Sequence, residues 1–412
     1  MKPYELLAPA GNFEMLVTAV NAGADAVYFG VKGFNMRASA KNFSIADLPK
    51  MRKICGGVRM YLTLNTIIYD NEIKGIEKII KSAKKYVDAI ICWDLAVINL
   101  CKKYKIEFHI STQASVANSE SAKFYKKLGA KRIILARELN LEQVKEISKI
   151  INIECFCHGA MCVSVSGRCF ASQFLFNKSA NRGKCLHPCR RSYIIKDKQG
   201  SEQVQTSSAS TKSAEREGYE LEIKNNKVMS AKDLCALPFI EKLKKAGIKS
   251  FKIEGRNRDP RYVDTVVRIY RKALDKKLSK KEILKSMEEL KKVYNRGFSS
   301  GFYLGLPSAE DFAKVEHSDA KEKKHFVGKI LHYYGKIKVA TMKVYSEFKV
   351  GDKICVIGKT TGIENSIIKR IEKKHKSVNI AKKGEEVAIK LPKVRINDEV
   401  YTILKNKKIR KK

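Results

Sequence analysis

Eight short apolar segments in the first 255 residues constrain the fold of this chain more than any other feature. Four of them follow the end of a helical stretch at a small residue: AGADAVYFG (22–30), VDAIICWD (87–94), GAKRIILARE (129–138) and AGIKSFKIEG (246–255). Four others alternate with these: ELLAPAG (5–11), RMYLTLNT (59–66), IEFHISTQ (106–113) and IECFCHG (153–159). Their length and β-rich composition predict eight strands.

Most of these strands are separated by lysine-rich helical patterns such as KGIEKIIKSAKKY (74–86), in which apolar residues recur at spacings of three and four. Strands that alternate with helices over about 250 residues are typical of a parallel barrel. A doubly wound open sheet would show the same alternation. Because the strand count is eight, the sequence favours an α/β fold of the TIM-type (β/α)8 barrel kind.

The predicted barrel domain spans 1–307 and contains two unusual segments. One is a cysteine-rich segment at 155–193. The other is a polar insertion at 199–218, QGSEQVQTSSASTKSAEREG, which lacks the apolar residues that a core requires. We therefore expect the insertion to be a mobile loop.

A second, smaller domain is predicted after the barrel. Helices at about 260–276 and 280–293 complete the first domain, and a linker is predicted at 308–324. Short β runs with glycine-containing turns at 325–404 predict a small antiparallel β-barrel of about six strands, followed by a basic tail at 405–412. This domain could be a structural appendage or an RNA-docking module.

Polar side chains follow the predicted strands at their C-terminal ends, where barrel enzymes build their active sites. Any one of them could simply stabilise a turn, but their convergence predicts a site. The catalytic candidates are Gln113, His158, Glu254 and Arg256. The substrate-binding candidates are Tyr28, Asn65, Arg137, Arg168 and Arg190.

Six of the eleven cysteines lie between 155 and 189. The chain has no apolar run long enough to span a membrane and no apolar leader, which predicts a soluble, cytoplasmic protein with no membrane partner. Clustered cysteines in that reducing compartment indicate metal binding rather than disulfides.

Four of these cysteines, Cys162, Cys169, Cys185 and Cys189, have the spacing of a ligand set for one iron-sulfur cluster or one tetrahedral zinc ion. Zinc is the weaker alternative because the set has no C-x-x-C pair. Cys235, which is predicted to start an amphipathic helix, is a fifth candidate.

The charge of the chain is strongly positive, with 83 Lys and Arg against 43 Asp and Glu and a formal net charge of +40. Such a field attracts polyanions, including RNA. A lysine bias imposed by a thermophilic or AT-rich genome would give the same balance.

Several motifs together resemble the family of collagenase-like U-32 peptidases. They are ELLAPAGNFEML, GADAVYFG, STQASVAN, HGAMC, SGRC, NRGKC, PCRRSY and KIEGRNRDPRYV, and they cover almost the whole chain in order. The module that opens with HFVGKI is similar to that of the tRNA uridine hydroxylase branch of this family.

The resemblance implies an iron-sulfur-dependent RNA-modifying enzyme that hydroxylates a pyrimidine, with the tRNA wobble uridine as the most closely matching substrate. It also implies a [4Fe-4S] cluster on Cys162, Cys169, Cys185 and Cys189. A collagenase-like peptidase and an RNA-binding protein with a structural cluster are the alternatives. Peptidase chemistry has weak support, because the chain has no H-E-x-x-H or G-x-S-x-G motif and a cluster ligand cannot attack a peptide. The sequence does not identify the electron donor or the oxygen donor.

Overall fold

The computed structural model describes residues 2–38, 41–191, 193 and 229–406. The polar insertion at 199–218 and most of the basic tail lie outside the described residues, so the predictions for them stay predictions. In the first domain the strands are β1 (Glu5–Pro9), β2 (Ala26–Phe29), β3 (Arg59–Thr63), β4 (Ala89–Cys92), β5 (Phe108–Ile110), β6 (Arg132–Ile134), β7 (Ile153–Gly159), β8 (Asp233–Cys235), β9 (Ser250–Ile253) and β10 (Phe298–Ser299).

Eight of these strands, β1 to β7 and β9, form a closed parallel barrel. Strand β9 closes it by pairing with both β1 and β7, so that Ser250 lies opposite Glu5 on one side and Glu154 on the other. Each barrel strand lies within one of the eight apolar segments, and the predicted barrel is confirmed. The fold therefore brings the C-terminal ends of all eight strands to one mouth.

The helices of the first domain surround the barrel, except for the seventh, which lies in the cysteine-rich segment. They are α1 (Phe13–Asn21), α2 (Leu48–Cys55), α3 (Ile73–Ala83), α4 (Leu95–Lys103), α5 (Ser119–Leu128), α6 (Leu141–Ser148), α7 (Ala171–Phe176), α8 (Ile240–Lys245), α9 (Pro260–Asp275) and α10 (Lys280–Leu290). Several of these helices begin shortly after a strand, at a residue whose side chain caps the first turn. The Asp94 carboxylate, for example, accepts from the Ala96 amide at the start of α4.

The prediction that Cys235 starts a helix is wrong. Cys235 is the last residue of β8, which pairs antiparallel with the end of β7, placing Cys235 opposite His158. Strand β6 ends at Ile134, whereas β7 continues to Gly159, so the last residues of β7 have a free edge that β8 occupies. Helix α8 begins only at Ile240.

The C-terminal module is antiparallel, as predicted. Its strands are β11 (Glu322–Tyr334), β12 (Val339–Val344), β13 (Phe348–Lys349), β14 (Lys353–Gly358), β15 (Gly362–Ile367), β16 (Ile371–Lys373), β17 (Lys376–Val378), β18 (Ile380–Ala381), β19 (Glu386–Lys390) and β20 (Glu399–Lys405). Eight form a sheet in the order β15-β14-β20-β11-β12-β19-β16-β17, and β13 pairs with β18. The module has its own apolar core, which includes Val327, Met342 and Val400.

Strand β15 of the module packs on α1 and α9 of the barrel domain. Gly362 lies so close to α1 that a Cβ at this position would lie 2.9 Å from the Thr18 backbone nitrogen. Two ion pairs cross the same junction: Lys324 Nζ lies 3.1 Å from Asp259 Oδ2, and Arg261 binds Glu322. The module is therefore attached beside the start of α9, close to the barrel mouth. None of the helices in the described ranges is both long and apolar enough to cross a membrane.

Candidate functional site

A cavity of about 170 Å³ lies at the barrel mouth, between the strand ends and the cysteine-rich segment. Most of the predicted site residues line it: Tyr28, Asn65, Gln113, Arg137, Arg190, Glu254, Arg256, Cys162, Cys169, Cys185 and Cys189. The convergence at the C-terminal ends of the strands thus brings together side chains that are far apart in sequence.

Glu254, directly after β9, is the central carboxylate of the cavity. Its Oε1 lies 2.9 Å from Arg37 Nη2. Burial opposes ionisation of this carboxyl group, but Arg37, Arg137 and Arg256 outweigh that effect and hold its pKa at about 2. Glu254 is therefore a carboxylate at neutral pH and neutralises part of a three-arginine cluster.

Arg137 is buried against the Phe156 ring, with its guanidinium carbon 3.9 Å from the ring centroid. Its Nη1 donates to the Ala160 carbonyl at 2.7 Å. Its Nε and Nη2 are buried and have no hydrogen-bond partner in the described part of the chain. A buried donor without an acceptor costs free energy. These two N–H groups are therefore available to bind an acceptor group inside the cavity.

Arg256 and Tyr28 form the floor of the cavity. Arg256 Nη1 donates to Thr63 Oγ1 at 3.0 Å, and burial lowers the pKa of Arg256 to about 10. The Tyr28 hydroxyl donates to the Ile253 carbonyl at 2.9 Å, and burial raises the pKa of Tyr28 well above its ordinary value. Both side chains are thus fixed, one as a cation and the other as a neutral phenol.

An amide and hydroxyl group forms another wall. Asn65 Nδ2 donates to Gln113 Oε1 at 3.1 Å and to Ser111 Oγ at 3.2 Å. Gln113 Nε2 in turn donates to Ser166 Oγ at 3.1 Å, which links this wall to the cysteine-rich segment. The wall is held in place by its own hydrogen bonds before any ligand binds.

The cysteine-rich segment folds over the mouth through a few specific contacts. The Cys169 amide donates to Asn181 Oδ1 at 2.8 Å. Arg182 binds Glu72, donates to the Ile67 carbonyl at 2.7 Å and lies over the Tyr69 ring. The neighbouring Gly183 has a φ of +80°, and a Cβ there would lie 2.3 Å from the Asn35 carbonyl oxygen. These contacts attach the segment to the loops after β2 and β3.

The four predicted ligand cysteines all face this cavity. Burial raises the pKa of the Cys185 and Cys189 thiols, as do the neighbouring thiols of the set, whereas Arg37 lowers that of Cys185 and Arg190 that of Cys189. Four thiols that line one cavity are the donor chemistry of an iron-sulfur cluster or of a structural zinc site. Within the described ranges, no three His, Cys, Asp or Glu side chains are arranged to hold a single metal ion.

Three predicted residues lie elsewhere. His158 points away from the cavity, because its ring packs among Tyr262, Tyr270 and Phe298, and burial lowers its pKa to about 4. Its position argues against the predicted catalytic role. Cys235 lies on the same outer side, with its sulfur 3.7 Å from the Tyr270 hydroxyl oxygen, so it is separate from the four thiols. Arg168 is exposed on the segment and does not line the cavity.

Arg37 is the main site residue that the sequence reasoning missed. It lies in the loop after β2, pairs with Glu254 and lines the cavity. The rule that barrel loops at the C-terminal ends of strands supply site residues could have indicated it. Its loop, GFNMRAS, contains none of the motifs that drew attention to the other residues.

Comparison with known proteins gives relatives of two kinds. The chain is 39% identical over 421 residues to a protein of Porphyromonas gingivalis named "Collagenase", with 97% of each chain covered. It is 34% identical to "tRNA hydroxylation protein P1" of Bacillus subtilis, covering 87% of this chain and 84% of the relative. It is also 37% identical to "23S rRNA 5-hydroxycytidine C2501 synthase" of Escherichia coli, over 66% of this chain but only 39% of that protein.

The family model described as "Peptidase family U32" matches residues 11–313. This match includes every barrel strand after β1, the entire cysteine-rich segment and the loops that form the mouth. The chain therefore belongs to peptidase family U32.

Proposed function

We propose that this protein is an RNA-modifying enzyme that hydroxylates a pyrimidine, with the wobble uridine of tRNA as the substrate to test first. The observation that supports it best is that four thiols line the same cavity as Arg137, an arginine with two donors that have no partner among the described residues. Relatives at 34% and 37% identity are named for tRNA and rRNA hydroxylation. An RNA substrate would also place the protein in the cytoplasm.

Within this proposal, Cys162, Cys169, Cys185 and Cys189 hold a [4Fe-4S] cluster. Such a cluster supplies one-electron redox chemistry next to the cavity. Zinc is the alternative metal. Zinc needs four donors converging at about 2.0–2.3 Å from one point, whereas a cubane cluster is a larger body that takes one thiolate at each corner. The lack of a C-x-x-C pair among the four cysteines favours the cluster.

The remaining side chains would position the base. A wobble nucleotide lies in a loop, so that turning its base out of the stack costs little. In the cavity, the two free donors of Arg137 would bind an acceptor oxygen, and the Asn65 and Gln113 wall would limit the orientation of the ring. Glu254, with a pKa of about 2, is a weak proton acceptor, and we assign it the role of holding Arg37 and Arg137 in place.

Replacement of a ring C–H by C–OH is a two-electron oxidation that also needs an oxygen atom. The donor of that oxygen and the electron partner are unidentified.

The test begins with anaerobic purification of the wild type and the Cys185→Ala variant. We expect about four iron and about four sulfide per chain in the wild type, and loss of both in the variant. Cys55→Ala, which replaces a buried cysteine at the end of α2 and away from the cavity, is the matched control and should keep its iron. Mass spectrometry of tRNA nucleosides from cells with and without the gene then tests hydroxylation. Zinc alone, or unchanged tRNA and rRNA, would contradict the proposal.

Peptide hydrolysis is the second candidate, because the relative named "Collagenase" is 39% identical over nearly the full length. A peptidase of this kind would use a cavity thiol as nucleophile and would not need iron. Gelatin cleavage by the iron-free protein, abolished in Cys162→Ala and unaffected in Cys55→Ala, would favour it. Tight RNA binding with neither RNA modification nor cleavage of gelatin would instead indicate a structural cluster in an RNA-binding protein.

A further inference from the structure

A recess of about 420 Å³ adjoins the barrel cavity, and the two share wall residues that include Ala160 and Arg190. Two more recesses, of about 430 and 440 Å³, continue from it to the C-terminal module. Asn257 and Arg258 line all three recesses, so they are parts of one depression. We call this depression the junction groove.

Nine lysines and arginines and six carboxylates line the junction groove, so the groove carries an excess of positive charge. The Arg258 guanidinium carbon lies 3.5 Å from the centroid of the Tyr294 ring, and both side chains line the groove. At the module end the wall includes the exposed Lys323 and its neighbour Lys324. The carboxylates Asp259 and Glu322 on that wall are in ion pairs with Lys324 and Arg261.

The two ends of the junction groove are fixed relative to each other. One wall belongs to the barrel and the other to β11 and β20 of the module, and the junction at Gly362 and the two ion pairs hold these walls together. Sheet order places β17 at the edge opposite β15, the strand that packs on α1. The β17 lysine Lys376 therefore carries the same charge as Lys323 of β11 but lies away from the junction, which makes it a suitable control.

We infer that the junction groove is the path of single-stranded RNA, which runs from β11 of the module past Arg258 and Tyr294 to the barrel mouth. This inference rests on the proposed function, since it supplies the route by which a nucleotide reaches the cavity. A groove with cations along its length and an aromatic ring for base stacking is how proteins bind single strands. Planar arginine on a ring adds a second stacking surface.

The test is a salt titration of RNA binding by the full-length protein. The probe is a fluorescein-labelled, unstructured RNA of about 12 nucleotides, titrated by anisotropy between about 50 and 200 mM salt. Lys323→Ala and Arg258→Ala each remove one groove cation. The matched control, Lys376→Ala, removes one exposed lysine from β17.

Each lost phosphate contact should make the slope of log affinity against log salt shallower by about 0.7 for a single strand. We expect this change for Lys323→Ala and Arg258→Ala, and an unchanged slope for Lys376→Ala. Lys323 is exposed, so its variant is not at risk of misfolding.

Equal slopes for all three variants would overturn the inference and would leave RNA hydroxylation untouched if modified nucleosides are still found. Groove-dependent binding without any RNA modification would support the inference as a binding route and contradict the proposed function. If the groove instead held an acidic protein, RNA affinity would be the same in the wild type and both groove variants, which also overturns the inference.

Discussion

At the scale of single residues, two buried carboxylates show how the barrel uses charge. Glu254 at the mouth and Glu154 near the other end both have pKa values of about 2, although burial opposes their ionisation. For Glu154 the compensating cations are Lys252, at 2.9 Å, and Arg132, at 3.1 Å. Glu154 does not line the cavity. Its substitution therefore measures how buried charge affects the stability of the barrel, separately from any reaction in the cavity.

We predict that the contribution of Glu154 to stability disappears in acid. Its pKa falls from 4.5 to about 2 on folding, so its stabilising effect is present above about pH 4.5 and is lost as the pH falls towards 2. This shift corresponds to about 3 kcal/mol at neutral pH. Urea unfolding of the wild type and Glu154→Gln should therefore differ most at pH 7 and converge as the pH falls to about 2. Glu120→Gln, on an exposed carboxylate, should track the wild type throughout, and a gap that persists in acid would contradict the prediction.

Most cavity residues could be predicted from the sequence by one rule, which is that polar side chains at the C-terminal ends of apolar strands line the mouth of a barrel. This rule is sufficient to find Tyr28, Asn65 and Glu254. It failed for His158 for a physical reason. Alternation along β7 would place His158 on the same face as Phe156, which lines the cavity. The register shifts between these two residues, and this irregularity turns His158 towards α9.

At the scale of elements, Tyr270 of α9 fixes the end of β7. Its hydroxyl donates to the Cys157 carbonyl at 2.8 Å and accepts from the Leu237 amide at 3.1 Å. Strand β8 and the turn after it are thereby attached to the shifted end of β7. Strands β8 and β10, of three and two residues, were missed by the sequence reasoning because pairing with distant residues, rather than any local pattern, defines them.

We predict that Tyr270→Phe lowers the free energy of unfolding by about 1–3 kcal/mol, since it removes the hydroxyl that accepts from the buried Leu237 amide and one of the two donors to the Cys157 carbonyl. The measurement is urea denaturation at neutral pH. Tyr334→Phe, which removes a hydroxyl from an exposed tyrosine, is the control and should change stability little. If the two variants lose the same stability, the Tyr270 hydroxyl does not hold β7 and β8 together.

At the scale of the whole molecule, two cores meet at one small junction. The barrel core and the module core are separate apolar clusters, and β15 connects them through Gly362 against α1. The antiparallel character of the module was predictable from its short β runs, but its ten strands and its position were not. The position of the module on the barrel depends on the contact of Gly362 with α1 and on two ion pairs. No local sequence pattern indicates these contacts.

We predict that Gly362→Ala loosens the module without unfolding either core. Its φ of +72° disfavours a side chain, and the new Cβ would overlap the Thr18 backbone. Limited trypsin digestion should cut faster within 308–321, between the two domains. Gly335→Ala, at a turn where a Cβ meets only the Tyr333 ring at 3.8 Å, is the control. Equal cleavage of the two variants would show that the Gly362 contact does not hold the junction.

The four cysteines that line the cavity lie on an excursion of the chain that starts after Gly159 and returns at β8, where Leu234 pairs directly with Gly159. Because the barrel already brings the two ends of this excursion together, the entropy of closing it depends only weakly on its length. Doubling its length would cost only about 0.6 kcal/mol. We therefore expect insertions and deletions between Cys189 and β8 to change the free energy of folding of the barrel only slightly.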